Sequence, residues 1–97
     1  MEQPGPVYMS IQRKLTDSLQ PTALEIFNES HLHAHHQAMR NVDSNETHFR
    51  VSIVSNEFEG KTLMQRHRLV YSILSEELSG GVHALTIKAK TPKEVTT

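Results

Sequence analysis

The run over residues 58–74, Phe-Glu-Gly-Lys-Thr-Leu-Met-Gln-Arg-His-Arg-Leu-Val-Tyr-Ser-Ile-Leu, limits the possible folds of this chain more than any other stretch. A strand is expected to end at Phe58, and Gly60 supplies a turn that a residue with a side chain would resist. Thr62 with Gln65 has the spacing of a capping box, in which each side chain satisfies a backbone N–H that a helix start leaves open. Leu63, His67, Val70, Leu74 and Leu78 then recur at three and four, as one face of a helix does. Gly80 and Gly81 stop it. The pattern predicts one helix over about residues 63–78 as the spine of the core. Its charges run against the helix dipole: Lys61, Arg66 and Arg68 crowd the start, while Glu76 and Glu77 stand near the end. Each such placement costs a few tenths to about 1 kcal/mol on a surface. It reads either as a solvated face or as a basic patch aimed at an anionic ligand or partner.

The other elements follow from simpler patterns. Pro6 suits a first helical turn. Val7, Ile11, Leu15 and Leu19 repeat at four, with Gln12, Arg13, Lys14 and Asp17 outward and Pro21 as the stop. Residues 24–29 form a short strand with Leu24 and Ile26 on one face. Residues 30–46 are polar and aperiodic, which predicts a long loop. Residues 47–55 alternate, Phe49, Val51 and Ile53 inward and His48, Arg50 and Ser52 outward. The last strand spans 82–90 with His83, Leu85, Ile87 and Ala89 on one side, and Thr91-Pro92-Lys93-Glu94 starts a terminal turn. The first two strands pair antiparallel, and a right-handed crossover through the helix lays the third parallel to the second. The expected fold is α+β in α-β-β-α-β order: a three-stranded mixed sheet, covered on one face by helices, in a single domain over residues 1–97.

Composition narrows the chemistry. With 36% hydrophobic and 22% charged residues the chain has the make-up of an ordinary globular domain, and its net charge of −1 gives no global field for a polyanion. No apolar run approaches the ~18 residues of a membrane span. Residues 1–6 resemble neither a signal peptide nor an arginine-rich transit peptide. There is no cysteine, which excludes disulfides, a cysteine nucleophile and any cysteine-ligated cluster held by this chain alone. Gly-x-Ser-x-Gly, His-Glu-x-x-His and Walker signatures are absent from the sequence. The aromatics Tyr8, Phe27, Phe49, Phe58 and Tyr71 are few and mostly patterned inward, leaving no stacking platform for bases.

Histidine is the one excess: seven residues, four of them in His31-Leu32-His33-Ala34-His35-His36. In an extended chain His31, His33 and His35 project to one side; in a helical turn His31 and His35 pair instead. They are either solvated or ligands. His83, at the mouth of the last strand, is either a half-buried histidine satisfied by a backbone group or a metal ligand. His67, on the apolar stripe, reads as a core histidine hydrogen-bonded internally. Imidazole suits zinc, copper and iron. One strand histidine and one loop histidine make two ligands, however, where zinc sites use three or four. A two-ligand site is half a site and needs a second molecule.

Phe58-Glu59-Gly60, Gln65-Arg66-His67-Arg68, Val70-Tyr71, Leu74, Val82-His83-Ala84-Leu85 and Thr91-Pro92 together resemble the BolA family, over nearly the whole chain. The resemblance implies a fold similar to the type II KH domain. It also implies a non-enzymatic role in iron–sulfur cluster assembly or delivery to client apoproteins, with no membrane association. BolA-like proteins pair with a monothiol glutaredoxin and share a [2Fe–2S] cluster, the glutaredoxin and glutathione supplying the thiolates. The isolated chain is then a monomer that holds no cluster tightly. The family's ligands fall on His83 and, after the lead-in Asn28-Glu29-Ser30, on His33, with His31 and His35 as close alternatives. Two histidines with two thiolates resemble Rieske-type ligation. A cysteine-free loop matches the branch associated with mitochondria, which favours the matrix over the cytoplasm. Lys61, Arg66 and Arg68 are the expected docking surface for the glutaredoxin. The alternative is a small KH-like nucleic-acid-binding regulator using Lys61, Arg66, Arg68, Lys88 and Lys90. Against it, Gly60 is followed by Lys61-Thr62-Leu63, so the Gly-x-x-Gly clamp of KH domains is missing.

Overall fold

The structure, a computed structural model, describes residues 5–30 and 46–96. Helix α1 (Pro6–Leu19) starts on a proline, which needs no N–H partner there, and buries Ile11, Leu15 and Leu19. Gly5 at its cap offers no side chain. The distant Glu46 does the capping instead, accepting hydrogen bonds from the N–H groups of Val7 (3.2 Å) and Tyr8 (2.8 Å). A Cβ on Gly5 would collide with that carboxylate. Gln20, left-handed at φ 43°, ends the helix ahead of Pro21.

Strands β1 (Ala23–Asn28), β2 (His48–Val54) and β3 (Ala84–Lys90) lie in the order β1-β2-β3, with β1 antiparallel and β3 parallel to β2. Ile26, Phe49, Val51, Ile53, Ile87 and Ala89 face the helices and form the core with Ile11, Leu15, Leu19, Phe58, Val70, Leu74 and Val82. The opposite face is open, carrying Glu25, Phe27, Arg50, Lys88 and Lys90. The mixed sheet and its one-sided helical cover are as expected.

The central helix differs from expectation in two ways. It breaks at Leu74 (φ −101°, ψ 24°) into α2 (Leu63–Ile73) and the short α3 (Ser75–Ser79). The break swings Glu76 and Glu77 against α1, where Lys14 pairs with both at 2.6 and 2.9 Å and Ser10 donates to Glu77 at 2.5 Å. Burial works against the Glu77 charge, but the bonds from Ser10 and Lys14 outweigh it and hold its pKa below the usual range. Both acids thus occupy a first helical turn, where the dipole favours them.

The second difference is rotational. Leu63 is 63% exposed, and the inward stripe is Arg66, Val70 and Leu74. Spacing at four fits either register, and α2 turns Arg66 inward because its guanidinium meets four acceptors there (below). The capping box of Thr62 and Gln65 is formed on both sides, at 2.9 and 3.1 Å. Gly60 and Gly81 adopt φ of 76° and 136°, as their turns require. A second capping box, Thr91 with Glu94, opens the terminal helix α4 (Pro92–Val95).

Candidate functional site

The site lies at the end of the sheet where the parallel strands β2 and β3 both begin. His83 directly precedes β3 and is exposed, not half-buried. Its N–H and that of Ala84 both donate to the Thr47 carbonyl, at 2.7 and 3.2 Å. Two successive residues facing one on the neighbouring strand are a bulge, and a bulge breaks the alternation of side chains. Val82 therefore enters the core, and His83 leaves the face shared by Leu85 and Ile87.

The histidine-rich segment leaves and rejoins the fold at this same place. Ser30 accepts from the N–H groups of Thr47 (2.8 Å) and His48 (3.1 Å) through its Oγ, and the Glu29 N–H donates to the His48 carbonyl at 2.8 Å. Asn28 Oδ1 accepts from the Ser30 N–H at 3.0 Å. Glu46, capping α1, holds the returning end. His31, His33 and His35 themselves lie outside the described residues. Thr47, bonded to Ser30 and next in sequence to Glu46, is one hydrogen bond from His83.

A second imidazole stands here that the sequence pattern did not single out. The His48 ring is 6.2 Å from that of His83, centroid to centroid, tilted by 34°. Its Nδ1 lies 2.8 Å from the Thr47 hydroxyl. His48 was legible only as an outward residue of an alternating strand. Its signal was topological: adjacent parallel strands start at the same end, so the first residues of β2 and β3 become neighbours.

The expected basic patch comes apart. Arg66 is 9% exposed and fully engaged: it donates to the carbonyls of Lys61 (3.0 Å) and Ala89 (3.1 Å) and to both Glu94 oxygens (2.8 and 3.2 Å). The Arg66 guanidinium, helped by the Thr91 N–H, holds the Glu94 carboxyl at about 2. Arg66 is a structural fastener of α4 and presents no charge for a partner or a phosphate. Lys61 and Arg68 remain exposed. Beside Arg68 the surface is apolar, with Leu63, Met64 and Tyr71 exposed around a shallow hollow. His67 lines the same hollow, and its buried Nε2 bonds to none of the described residues, contrary to an internally satisfied core histidine. Lys88 and Lys90 lie on the open sheet face, away from α2. Of the aromatics, Phe27 and Tyr71 are exposed, Phe27 beneath the Arg50 guanidinium at 4.6 Å.

The family model for BolA-like protein matches residues 15–94. The chain belongs to the BolA-like family. It is 52% identical over 90 residues to BolA-like protein 1 of Mus musculus, covering 93% of this chain and 61% of that one. It is 51% identical over 89 residues to SufE-like protein 1, chloroplastic/mitochondrial, of Arabidopsis thaliana, covering 90% of this chain. The match spans only 24% of that longer protein. Among solved structures, the BolA domain of SufE1 from Arabidopsis thaliana superposes with a TM-score of 0.83 at 47% identity, covering 93% of this chain and 96% of that one. The BolA-like fold thus places His83 at the strand mouth, beside the anchors of the histidine segment, and gives Arg66 of the Arg-His-Arg motif to the core.

Proposed function

We propose that this BolA-like protein is a non-enzymatic adaptor in iron–sulfur cluster assembly or delivery that pairs with a monothiol glutaredoxin. The observation that supports this best is the exposed His83, fixed by its backbone bond to Thr47 beside both ends of a segment carrying His31, His33 and His35. A [2Fe–2S] cluster is the cargo. His83 and His33 supply imidazoles to it, and the glutaredoxin and glutathione supply thiolates. The donor set fits: the chain has no cysteine, and neutral imidazole ligates iron. The backbone around His83 fixes where its ligand is presented, while a client apoprotein receives the cluster from the pair.

The docking surface is Arg68 and Lys61 with the exposed Leu63, Met64 and Tyr71, an apolar centre with a cationic rim of the kind that anchors transient partners. The names of relatives, one chloroplastic/mitochondrial and one chloroplastic, support an organellar setting, and within it the mitochondrial matrix is the compartment proposed for this protein. The nucleic-acid alternative has lost Arg66, and its remaining cations divide between α2 and the open sheet face. Mixing the protein with a glutathione-loaded, cluster-bearing monothiol glutaredoxin tests the proposal. A visible circular-dichroism spectrum distinct from that of the glutaredoxin alone is expected. An unchanged spectrum together with no complex would overturn it.

A further inference from the structure

We propose that Glu77, clasped by Ser10 and Lys14 of α1, is the positioning residue for His83, holding the turn that delivers this imidazole to the sheet end. The inference rests on the proposed role of His83 as a cluster ligand. It adds residues that touch no cluster themselves.

Glu77 works through both of its ends. Its carbonyl accepts from the N–H groups of Gly80 (3.2 Å) and Val82 (3.1 Å), so the turn from α3 to β3 closes on this one residue. Its carboxylate accepts from the Ser10 hydroxyl and from Lys14 Nζ, which reaches the two oxygens at 2.9 and 3.1 Å. Val82 directly precedes His83, and Gly80 and Gly81 in succession lend the turn no stiffness of their own. Three holds replace it: the Glu77 carbonyl on Val82, the burial of the Val82 side chain, and the Thr47 carbonyl on His83. Of these, Glu77 is the hold that reaches back to α1.

The leverage comes from burial. The Glu77 side chain is 8% exposed and that of its neighbour Glu76 is 84% exposed, although Lys14 pairs with both. A carboxylate at the depth of Glu77 is stable only while it is hydrogen-bonded. Without the Ser10 hydroxyl it is drawn toward water, and it carries along the carbonyl on which Val82 hangs. Glu76 is already in water and has no such hold on the turn. Helix α1 also receives Glu46, on the N–H groups of Val7 and Tyr8. Val7, Ser10, Glu46, Thr47, Glu77 and His83 line one cleft, so α1 supports both sides of the cleft that ends at His83.

Four variants of the full chain test this: Ser10→Ala and Glu77→Ala, which open the clasp, Ser10→Thr, which keeps the hydroxyl, and Glu76→Gln. NMR relaxation is measured first on the protein alone. The amides of residues 81–83 and the His83 ring should gain motion in Ser10→Ala and Glu77→Ala and stay as in the wild type in Ser10→Thr and Glu76→Gln. Unchanged amide signals of β1 and β2 report an intact fold. Each variant is then mixed with a cluster-bearing monothiol glutaredoxin and glutathione. Ser10→Ala and Glu77→Ala should form the complex with wild-type affinity yet lose the cluster about three- to tenfold faster, and Ser10→Thr should keep the wild-type lifetime. Should Glu77→Ala disturb the fold, Ser10→Ala decides alone. Unchanged motion or an unchanged cluster lifetime in Ser10→Ala would overturn the proposal, and so would faster loss that merely follows a weakened complex. If the wild type shares no cluster, the proposed function fails on its own account, and the motion of residues 81–83 still decides whether Glu77 positions His83.

Discussion

Arg66 shows how far one side chain can depart from its sequence setting. Flanked by Lys61 and Arg68 it looks like one of three surface cations, yet it is sealed against Ala89 and Glu94 while Arg68 stays in water. Arg66→Ala strips charge-assisted hydrogen bonds from a buried position and should cost about 2 kcal/mol in chemical denaturation. Arg68→Ala should stay within about 0.5 kcal/mol, as surface substitutions do. The partner carboxylate carries the pH dependence. Glu94 has its folded pKa lowered from 4.5 to about 2, so its contribution is complete above pH 4.5 and is lost as pH falls through 2. Amide signals of α4 should therefore keep their dispersion at pH 4 in the wild type and lose it near pH 2. Glu94→Gln should loosen α4 even at neutral pH and remove that acid transition.

At the scale of elements, the capping box and the core register can be separated experimentally. Thr62→Ala should cost about 1 kcal/mol through the lost cap, and Leu74→Ala about 2–4 kcal/mol by opening the core. Leu63→Ala should be near neutral, which distinguishes the observed rotation of α2 from the stripe that began at Leu63. Equal losses at Leu63 and Leu74 would contradict the structure. Strand order, the capping box of Thr62 and Gln65 and the turns at Gly60 and Gly81 were legible because each rests on local chemistry or on the handedness of a crossover. The break at Leu74 was not, because it depends on Lys14 and Ser10 reaching Glu76 and Glu77 from a helix sixty residues away in the chain. Nor was the exposure of His83: strict alternation assigns it to the inner face, and only the shared Thr47 carbonyl reveals the bulge. His83 stands out in the sequence as a candidate ligand by type and family likeness, and its setting was legible only in three dimensions.

For the molecule as a whole, the sheet end carrying His83 and the apolar hollow on α2 are the surfaces proposed to meet other molecules. If α2 docks the glutaredoxin, Arg68→Glu should slow association in stopped-flow measurements and leave folding intact. Unchanged kinetics would return Arg68 to the role of a solvated cation. The central claim is that His83 presents a ligand to a shared cluster, and one comparison tests it most directly. His83→Ala and His67→Ala are each mixed with a cluster-bearing monothiol glutaredoxin and glutathione, and the visible circular dichroism is recorded alongside complex formation. The account predicts that His83→Ala still forms the cluster-free heterodimer but loses or greatly destabilises the cluster, while His67→Ala retains it. A folded His67→Ala that loses the cluster beside a His83→Ala that keeps it would contradict the account.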